Sequence, residues 1–164
     1  MRKQVTAILA LMILAACGQG NNEVAQTPAA AAPAAVDVIR SRNATHWVVR
    51  NGSSENDAFT LQASGLAFIQ NAREAVSPGD AYTGEVVISA NNAASVLVRV
   101  SNGCGTSQND QGQVSYDVQP GENTLRVHHT FARAAECARL SVTSQAPVSY
   151  TLTSARLLRT ATGS

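Results

Sequence analysis

The histidines are the residues best suited to acid–base or metal chemistry in this 164-residue chain, and two of the three are adjacent. His128 and His129 suggest a metal-binding pair, but successive residues of a strand point to opposite faces of a sheet. We therefore expect one surface histidine, one half-buried histidine and no metal site. The sequence has no paired-carboxylate pattern, nucleophile motif or phosphate-binding glycine loop. An enzyme therefore has no support in the sequence.

The cysteine at position 17 has a more distinctive setting. Arg2 and Lys3 precede a mostly apolar run, 5–16, which is typical of a secretory signal and too short for a good membrane span of about 20 residues. Leu14-Ala15-Ala16-Cys17 resembles the lipobox of bacterial lipoproteins. The resemblance implies that residues 1–16 are a signal peptide and that Cys17 becomes a lipid-bearing N-terminus. The alternative is an ordinary signal peptide followed by an unmodified cysteine.

The same resemblance predicts where the protein is held. Two or three acyl chains anchor firmly, since each buried methylene contributes about 0.8 kcal/mol and one chain is marginal. In Gram-negative lipoproteins an aspartate after the cysteine favours the inner membrane. Gly18 therefore implies the outer membrane, with the protein facing the periplasm or the cell surface.

Residues 17–36 have the composition of a linker. They are dominated by alanine, and Pro28 and Pro33 interrupt the helix that alanine favours. We predict a flexible tether between the lipid and a folded domain at 37–164, with a helical spacer as the alternative.

The charge of the exported chain argues against nucleic acid as a partner. Cleavage after Ala16 removes Arg2 and Lys3, which leaves 10 basic against 11 acidic residues. A net charge near −1 provides no basic stripe for a phosphate backbone.

Residues 37–164 alternate short runs of Val, Thr, Ser and aromatic residues with turn residues, which predicts an all-β domain. Turns are predicted at 77–80, 91–92 and 119–122. Roughly nine or ten short strands without a helical period indicate an antiparallel β-sandwich or jelly roll. The predicted strands lie within 45–50, 58–63, 66–70, 72–76, 81–90, 95–101, 114–118, 125–128, 137–143 and 148–159.

Cys104 and Cys137 are the two cysteines left if Cys17 is lipidated. An even pair in an oxidising compartment predicts a disulfide. Such a bond stabilises a domain by roughly 3–4 kcal/mol in the chain-entropy model. Two free thiols are the alternative.

The segment 74–84, Glu-Ala-Val-Ser-Pro-Gly-Asp-Ala-Tyr-Thr-Gly, is followed by a long alternating strand. It resembles the galactose-binding-like jelly rolls, which include carbohydrate-binding modules. The resemblance covers about residues 40–159 and includes Trp47 near the start and a second Pro-Gly turn at 120–121. It implies a jelly-roll fold and a sugar ligand. Some related modules hold a structural calcium ion, but its carboxylates are not identifiable in this sequence.

Sugar-binding faces use exposed aromatic rings, and aromatic residues are only 4% of this chain. The tyrosines fall on the apolar faces of their predicted strands, so we expect them in the core, and burial is also the expectation for Trp47. The residues left for a polar ligand are Arg99, Arg126 and His128, with Trp47 if its ring is exposed. The alternative for the arginines is a solvated face.

Three functions remain open from the sequence. The first is a membrane-anchored, non-catalytic module that binds glycan; the second is a structural lipoprotein that docks a protein partner in the envelope. An exposed aromatic platform would favour the first and a flat apolar patch the second. The third, a hydrolase, would need a cleft with a perturbed carboxylate or histidine.

Overall fold

Nine antiparallel strands make up most of the part of the chain that the computed structural model describes, which is residues 35–39, 46–70, 75–102 and 110–160. The signal peptide, nearly all of the linker, Cys17 and Cys104 lie outside those residues. In chain order the strands are β1 (Val36–Asp37), β2 (Val48–Glu55), β3 (Ala58–Gln70), β4 (Ala81–Ala90), β5 (Ala94–Ser101), β6 (Gln111–Val118), β7 (Gly121–Thr130), β8 (Arg139–Ser144) and β9 (Val148–Thr160).

The strands form a continuous ladder in the order β6-β5-β8-β3-β9-β4-β7, with β2 beside β3 and β1 beside β9. Strand β3 divides the ladder, because residues 66–70 pair with β8 and residues 58–61 pair with β9. We call the half containing β6, β5, β8, residues 66–70 and the adjacent part of β2 layer A. The half containing β7, β4, β9 and residues 58–61 is layer B.

The two layers face each other across a core. A Cβ atom built on Gly84 of β4 would lie 2.5 Å from Cδ1 of Leu140 on β8 and 2.9 Å from Cγ2 of Val100 on β5. Layer B therefore packs directly on layer A at this glycine. The predicted antiparallel β-sandwich of the jelly-roll type is confirmed.

The alternating pattern read in the sequence matches the burial of the strands. Tyr82, Val86 and Ile88 of β4 are fully buried, and so are the valines at 96, 98 and 100 of β5. Their neighbours in sequence point away from the core, as expected for a sheet with one buried face. All described residues belong to one compact unit, Ala32–Ser164. None of them is in a helix long and apolar enough to cross a membrane.

Aromatic rings form the densest part of the core. Trp47 meets Phe59 edge-on at 5.9 Å between centroids, and Phe59 stacks on Tyr150 at 5.2 Å. Burial raises the pKa of Tyr150. Tyr82 packs edge-on against Phe131 at 5.4 Å. The predicted burial of Trp47, Tyr82 and Tyr150 is confirmed.

Tyr116 only partly follows the prediction. It is half-buried, and Val114 on the same side of β6 is 39% exposed. Strand β6 lies at the end of the ladder, where fewer residues cover it. The Tyr116 hydroxyl instead reaches β7, where it donates to the carbonyl of Arg126 and accepts from the Arg126 N–H at 3.0 Å.

Two other predictions need correction or detail. The strands predicted at 58–63 and 66–70 are one continuous strand, β3. The strand predicted at 72–76 is reduced, in its described part, to a single bridge between Val76 and Ala135. The turn at 77–80 is confirmed: the Asp80 N–H donates to the Ser77 carbonyl at 3.1 Å, and Gly79 has a φ of 91°.

Strand β3 passes from one layer to the other at Ser64 and Gly65. Ser64 has a φ of 63°, and the partner strand β2 has a register shift beside Asn51, whose φ is 50°. The Asn51 side chain donates to the Ala63 carbonyl at 2.8 Å. A Cβ atom on Gly65 would lie 2.7 Å from the Asn51 carbonyl oxygen and 2.8 Å from that of Gln62. The backbones at this bend are therefore too close for any side chain at position 65.

The bend provides a stability test. We expect Gly65→Ala to lower the free energy of unfolding by about 1–3 kcal/mol, because both obstructing atoms belong to the backbone and have no rotamer to escape into. The adjacent Ser64→Gly variant is the control. This variant relieves about 1–2 kcal/mol of strain at a left-handed residue in the folded state. Glycine also raises the entropy of the unfolded chain, which lowers stability by about 0.4–1 kcal/mol, so the free energy of unfolding should stay equal or rise slightly. Urea midpoints measure both, and equal losses in the two variants would contradict the steric explanation.

Candidate functional site

The structure separates the residues that the sequence suggested for a ligand. Arg99 alternates with fully buried valines along β5, so it lies on the outer side of layer A. Arg126 and His128 alternate with buried residues along β7, so they lie on the outer side of layer B. These three side chains occupy opposite faces of the sandwich and do not form one site.

Trp47 is not on either face. It is 6% exposed, and its ring packs against Phe59 in the core. A ring in this position cannot stack on a sugar from solvent, so Trp47 is a core residue.

The outer side of layer B carries charges that are paired. Glu85 lies opposite Arg126 and Arg156 in the register of β7, β4 and β9, and its Oε2 accepts from Arg126 Nε at 2.6 Å. Asp37 of β1 lies 3.8 Å from Arg156 Nε. His128 is exposed, and its Nδ1 lies 3.2 Å from the Thr83 hydroxyl. We call this surface the paired-charge face; its charges largely cancel, and exposed ion pairs contribute at most about 1 kcal/mol each.

Around Phe68, the outer side of layer A carries charges of one sign. Here Phe68 is surrounded by guanidinium groups: that of Arg139 lies 4.2 Å from the ring centroid and that of Arg50 lies 5.8 Å from it. Ser141 of β8 lies between Phe68 on β3 and Arg99 on β5 in the strand register. We call the surface formed by Arg50, Phe68, Arg99 and Arg139 the arginine face.

Phe68 explains why the arginines cover this surface. Its neighbours Ala67 and Ile69 belong to the core, so Phe68 points outward, yet it is only 5% exposed. Two guanidinium groups over the ring shield it from water through cation–π contact, which contributes about 0.5–1 kcal/mol at exposed sites. The aromatic ring is therefore not open to a ligand.

The arginine face has no carboxylate partner among the described residues. Burial, and then the neighbouring charge of Arg50, lower the pKa of Arg139. The Nε atoms of Arg99 and Arg139 are buried and have no hydrogen-bond partner. On the outward side of the described strands of layer A the only carboxylate is Asp117, which pairs with Ser95. Ser95 is four residues from Arg99, or about 13 Å along β5.

Sequence analysis found Arg99 but missed Arg50, Phe68 and Arg139. One signal was available, because residues 67–69 are three successive apolar residues in a strand that should alternate. Such a run indicates that both sides of the strand are covered. The identity of the covering residues depends on which strands are neighbours, and the local sequence pattern does not predict strand order.

No aromatic platform or apolar patch competes with the arginine face. All seven Trp, Tyr and Phe residues lie in the described ranges, and none of them is exposed. The exposed large hydrophobic residues in those ranges are Val36, Val48 and Val114, which lie on three different strands. Neither of the surface features expected to distinguish a glycan ligand from a protein partner is therefore present there.

The histidine pair behaves as predicted, with one side chain on each side of β7. His128 is exposed, whereas His129 is half-buried and its Nε2 lies 2.7 Å from Asp110 Oδ1. No three His, Cys, Asp or Glu residues come together to hold a metal ion in the described ranges, and the calcium site stays unplaced. Cys137 is buried at 1% exposure. Because Cys104 lies outside the described residues, its pairing with Cys137 stays a prediction.

Comparison with known proteins identifies the class of fold. The chain matches no protein-family model and no curated protein. Among solved structures it is similar to a CBM4 carbohydrate-binding module, with a TM-score of 0.52 and 13% identity over 69% of this chain and 94% of the module. It is also similar to the CBM22-1 xylan-binding domain of Paenibacillus barcinonensis Xyn10C, with a TM-score of 0.58 and 13% identity over 81% of this chain and all of that domain. The chain therefore has a β-sandwich fold like that of carbohydrate-binding modules.

The unpaired charge of the arginine face predicts an unusual mutational response. We expect Arg99→Gln to leave the free energy of unfolding unchanged or to raise it, because it removes a buried Nε without a hydrogen-bond partner and keeps most of the side chain's apolar stem. Any gain should be largest at low salt, where like charges repel most. Thermal unfolding at two salt concentrations measures this. A loss above about 1 kcal/mol would mean that Arg99 makes a stabilising contact.

Proposed function

We propose that this protein is a non-catalytic glycan-binding lipoprotein of the bacterial envelope and that the arginine face is its binding surface. The observation that carries the proposal is a set of three arginines on a sheet face, none of which has a carboxylate partner in the described ranges. Like charges without a partner cost stability, and a ligand of opposite charge would supply the missing partner.

The fold supports a binding role. The two similar structures are binding modules by name, and one of them is a xylan-binding domain. A fold hosts many functions, so the ligand must be argued from this chain's own residues. The outer side of layer A extends over five strands, and a surface of this width suits an extended polymer more than a small molecule.

The anchor is supported by sequence. Leu14-Ala15-Ala16-Cys17 follows a signal-like segment, and the Ala- and Pro-rich stretch to residue 36 separates it from the sandwich. At roughly 3 Å per residue an extended tether of this length reaches on the order of 50 Å. Gly18 after the cysteine favours the outer membrane, and an arginine face held there would sample polymers well beyond the lipid headgroups.

Acylation of Cys17 is directly testable. In a lipoprotein-processing bacterium, the wild-type chain should incorporate labelled palmitate and be shortened at Cys17, and Cys17→Ser should lose the label. Cys104→Ser is the matched control and should keep it. Label on Cys17→Ser, or none on the wild type, would remove the anchor from the proposal without affecting the binding surface.

Glycan binding can be tested on the full chain purified in detergent. Native gels containing one polysaccharide each, neutral or acidic, should retard the protein with at least one polymer. Arg139→Gln should abolish the retardation, because it removes the central guanidinium of the arginine face. Arg126→Gln removes the same charge from the paired-charge face and should have no effect.

Two results would contradict the proposal. Retardation lost in Arg126→Gln but kept in Arg139→Gln would move the binding surface to the paired-charge face. No retardation with any polysaccharide would favour the alternative from the sequence, a lipoprotein that docks an envelope protein.

A further inference from the structure

We infer that the arginine face selects acidic polysaccharides, with a sugar carboxylate held between Arg99 and Arg139 above Ser141. This inference rests on the proposed function and specifies its ligand class. Three observations support it: the excess of hydrogen-bond donors on the face, the spacing of Arg99 and Arg139, and the covering of the Phe68 ring.

The hydrogen-bonding character of the face favours an anion. Arginine has five N–H donors and no acceptor, so the three guanidinium groups present donors in excess. A neutral sugar hydroxyl both donates and accepts, and it satisfies such a face only in part. A carboxylate is acceptor-only and matches the guanidinium fork with two parallel hydrogen bonds. The ligand that completes this face therefore carries a negative charge.

The spacing of Arg99 and Arg139 fits one carboxylate. Arg99 lies opposite Ser141, and Arg139 lies opposite Ser101, so the two arginines are diagonal neighbours on β5 and β8. Diagonal residues are about 7–8 Å apart. The Arg139 guanidinium lies over Phe68, on the other side of Ser141 from Arg99, so a carboxylate above Ser141 would lie between the two side chains. Both Nε atoms lack a partner, whereas Arg139 Nη2 already donates to Gln70 Oε1 at 3.1 Å. The two guanidinium groups, neither of them fully hydrogen-bonded, thus flank Ser141. Because the Nε atoms are buried, a carboxylate would meet the Nη atoms.

Arg50 extends the positive charge across the sheet. It lies on β2, on the far side of Phe68 from Arg99, and three strand spacings separate β2 from β5. At 4.7–4.9 Å per spacing the charge covers about 14 Å. A polymer with carboxylates on successive sugars can meet more than one arginine, whereas a single small anion can meet only the central pair.

The covered ring of Phe68 argues against neutral polysaccharides and nucleic acids as ligands. Stacking of a neutral pyranose, or of a nucleic acid base, needs an open aromatic face. The ring of Phe68 is covered by Arg139 at 4.2 Å, and the other aromatic residues of the chain are in the core or half-buried.

The test compares two polymers with the same backbone, one charged and one neutral. Polygalacturonate and its fully methyl-esterified form have the same backbone, and calorimetry on the full chain in detergent measures each affinity. We expect the acid form to bind at least about tenfold more tightly at low ionic strength, and added NaCl to weaken it. Arg99→Gln and Arg139→Gln should each lose about tenfold or more, and Arg126→Gln should match the wild type. Arg99→Lys keeps the charge without the fork and should recover only part of the loss.

Failure of this inference is distinguishable from failure of the proposed function. Equal, salt-insensitive binding of the acid and the ester would overturn acid selectivity and leave glycan binding in place. Binding of inorganic sulfate alone, with no polysaccharide, would overturn both. Single-stranded DNA bound as tightly as polygalacturonate would overturn the assignment of a glycan. All variants should first show cooperative unfolding, so that a lost affinity is not a lost fold.

Discussion

The passage of β3 between the layers is the constraint on which the rest of the sandwich depends. Residues 58–61 hydrogen-bond to β9 and residues 66–70 to β8, so one strand holds the two layers together. The bend requires a left-handed Ser64 and a position 65 without a side chain. It also carries Phe68 onto the outer side of layer A, where the hydrophobic ring must be covered. The arginine face is therefore a consequence of how the core is closed.

The two outer faces treat charge in opposite ways, although the same residue type is used on both. Arg126 pairs with Glu85 on the neighbouring strand, and the two opposite charges leave little electrostatic potential at this surface. Arg139 instead has Arg50 as its charged neighbour, and both lie over an apolar ring. Such an arrangement stores unfavourable electrostatic energy that a bound anion would release. The difference between the faces is thus a difference in what each can still bind.

The local pattern was enough to predict the fold class but not the site. Alternation in β4 and β5 depends on neighbours two residues apart, so the inward tyrosine and valines were identifiable, as were the turns at glycine. Arg50, Arg99 and Arg139 are brought together by the order β5-β8-β3-β2, in which no two adjacent strands except β2 and β3 are consecutive in the chain. Sequence periodicity gives the face on which a residue lies, but pairing between distant strands decides its neighbours. Arg99 and Arg126 looked equivalent for this reason.

The proposed lipid tether would lower the affinity that each single contact with a polysaccharide must reach. Ionic contacts with a flexible polysaccharide are individually weak at physiological salt, because the Debye length is about 8 Å and partly exposed charges are screened. Many copies held on one membrane would bind the same polymer at several points. After the first copy binds, the effective concentration for the next contact is set by the tethers and not by the bulk protein concentration. Under the proposed function, three arginines over about 14 Å would then act through repeated weak contacts and not through an aromatic platform.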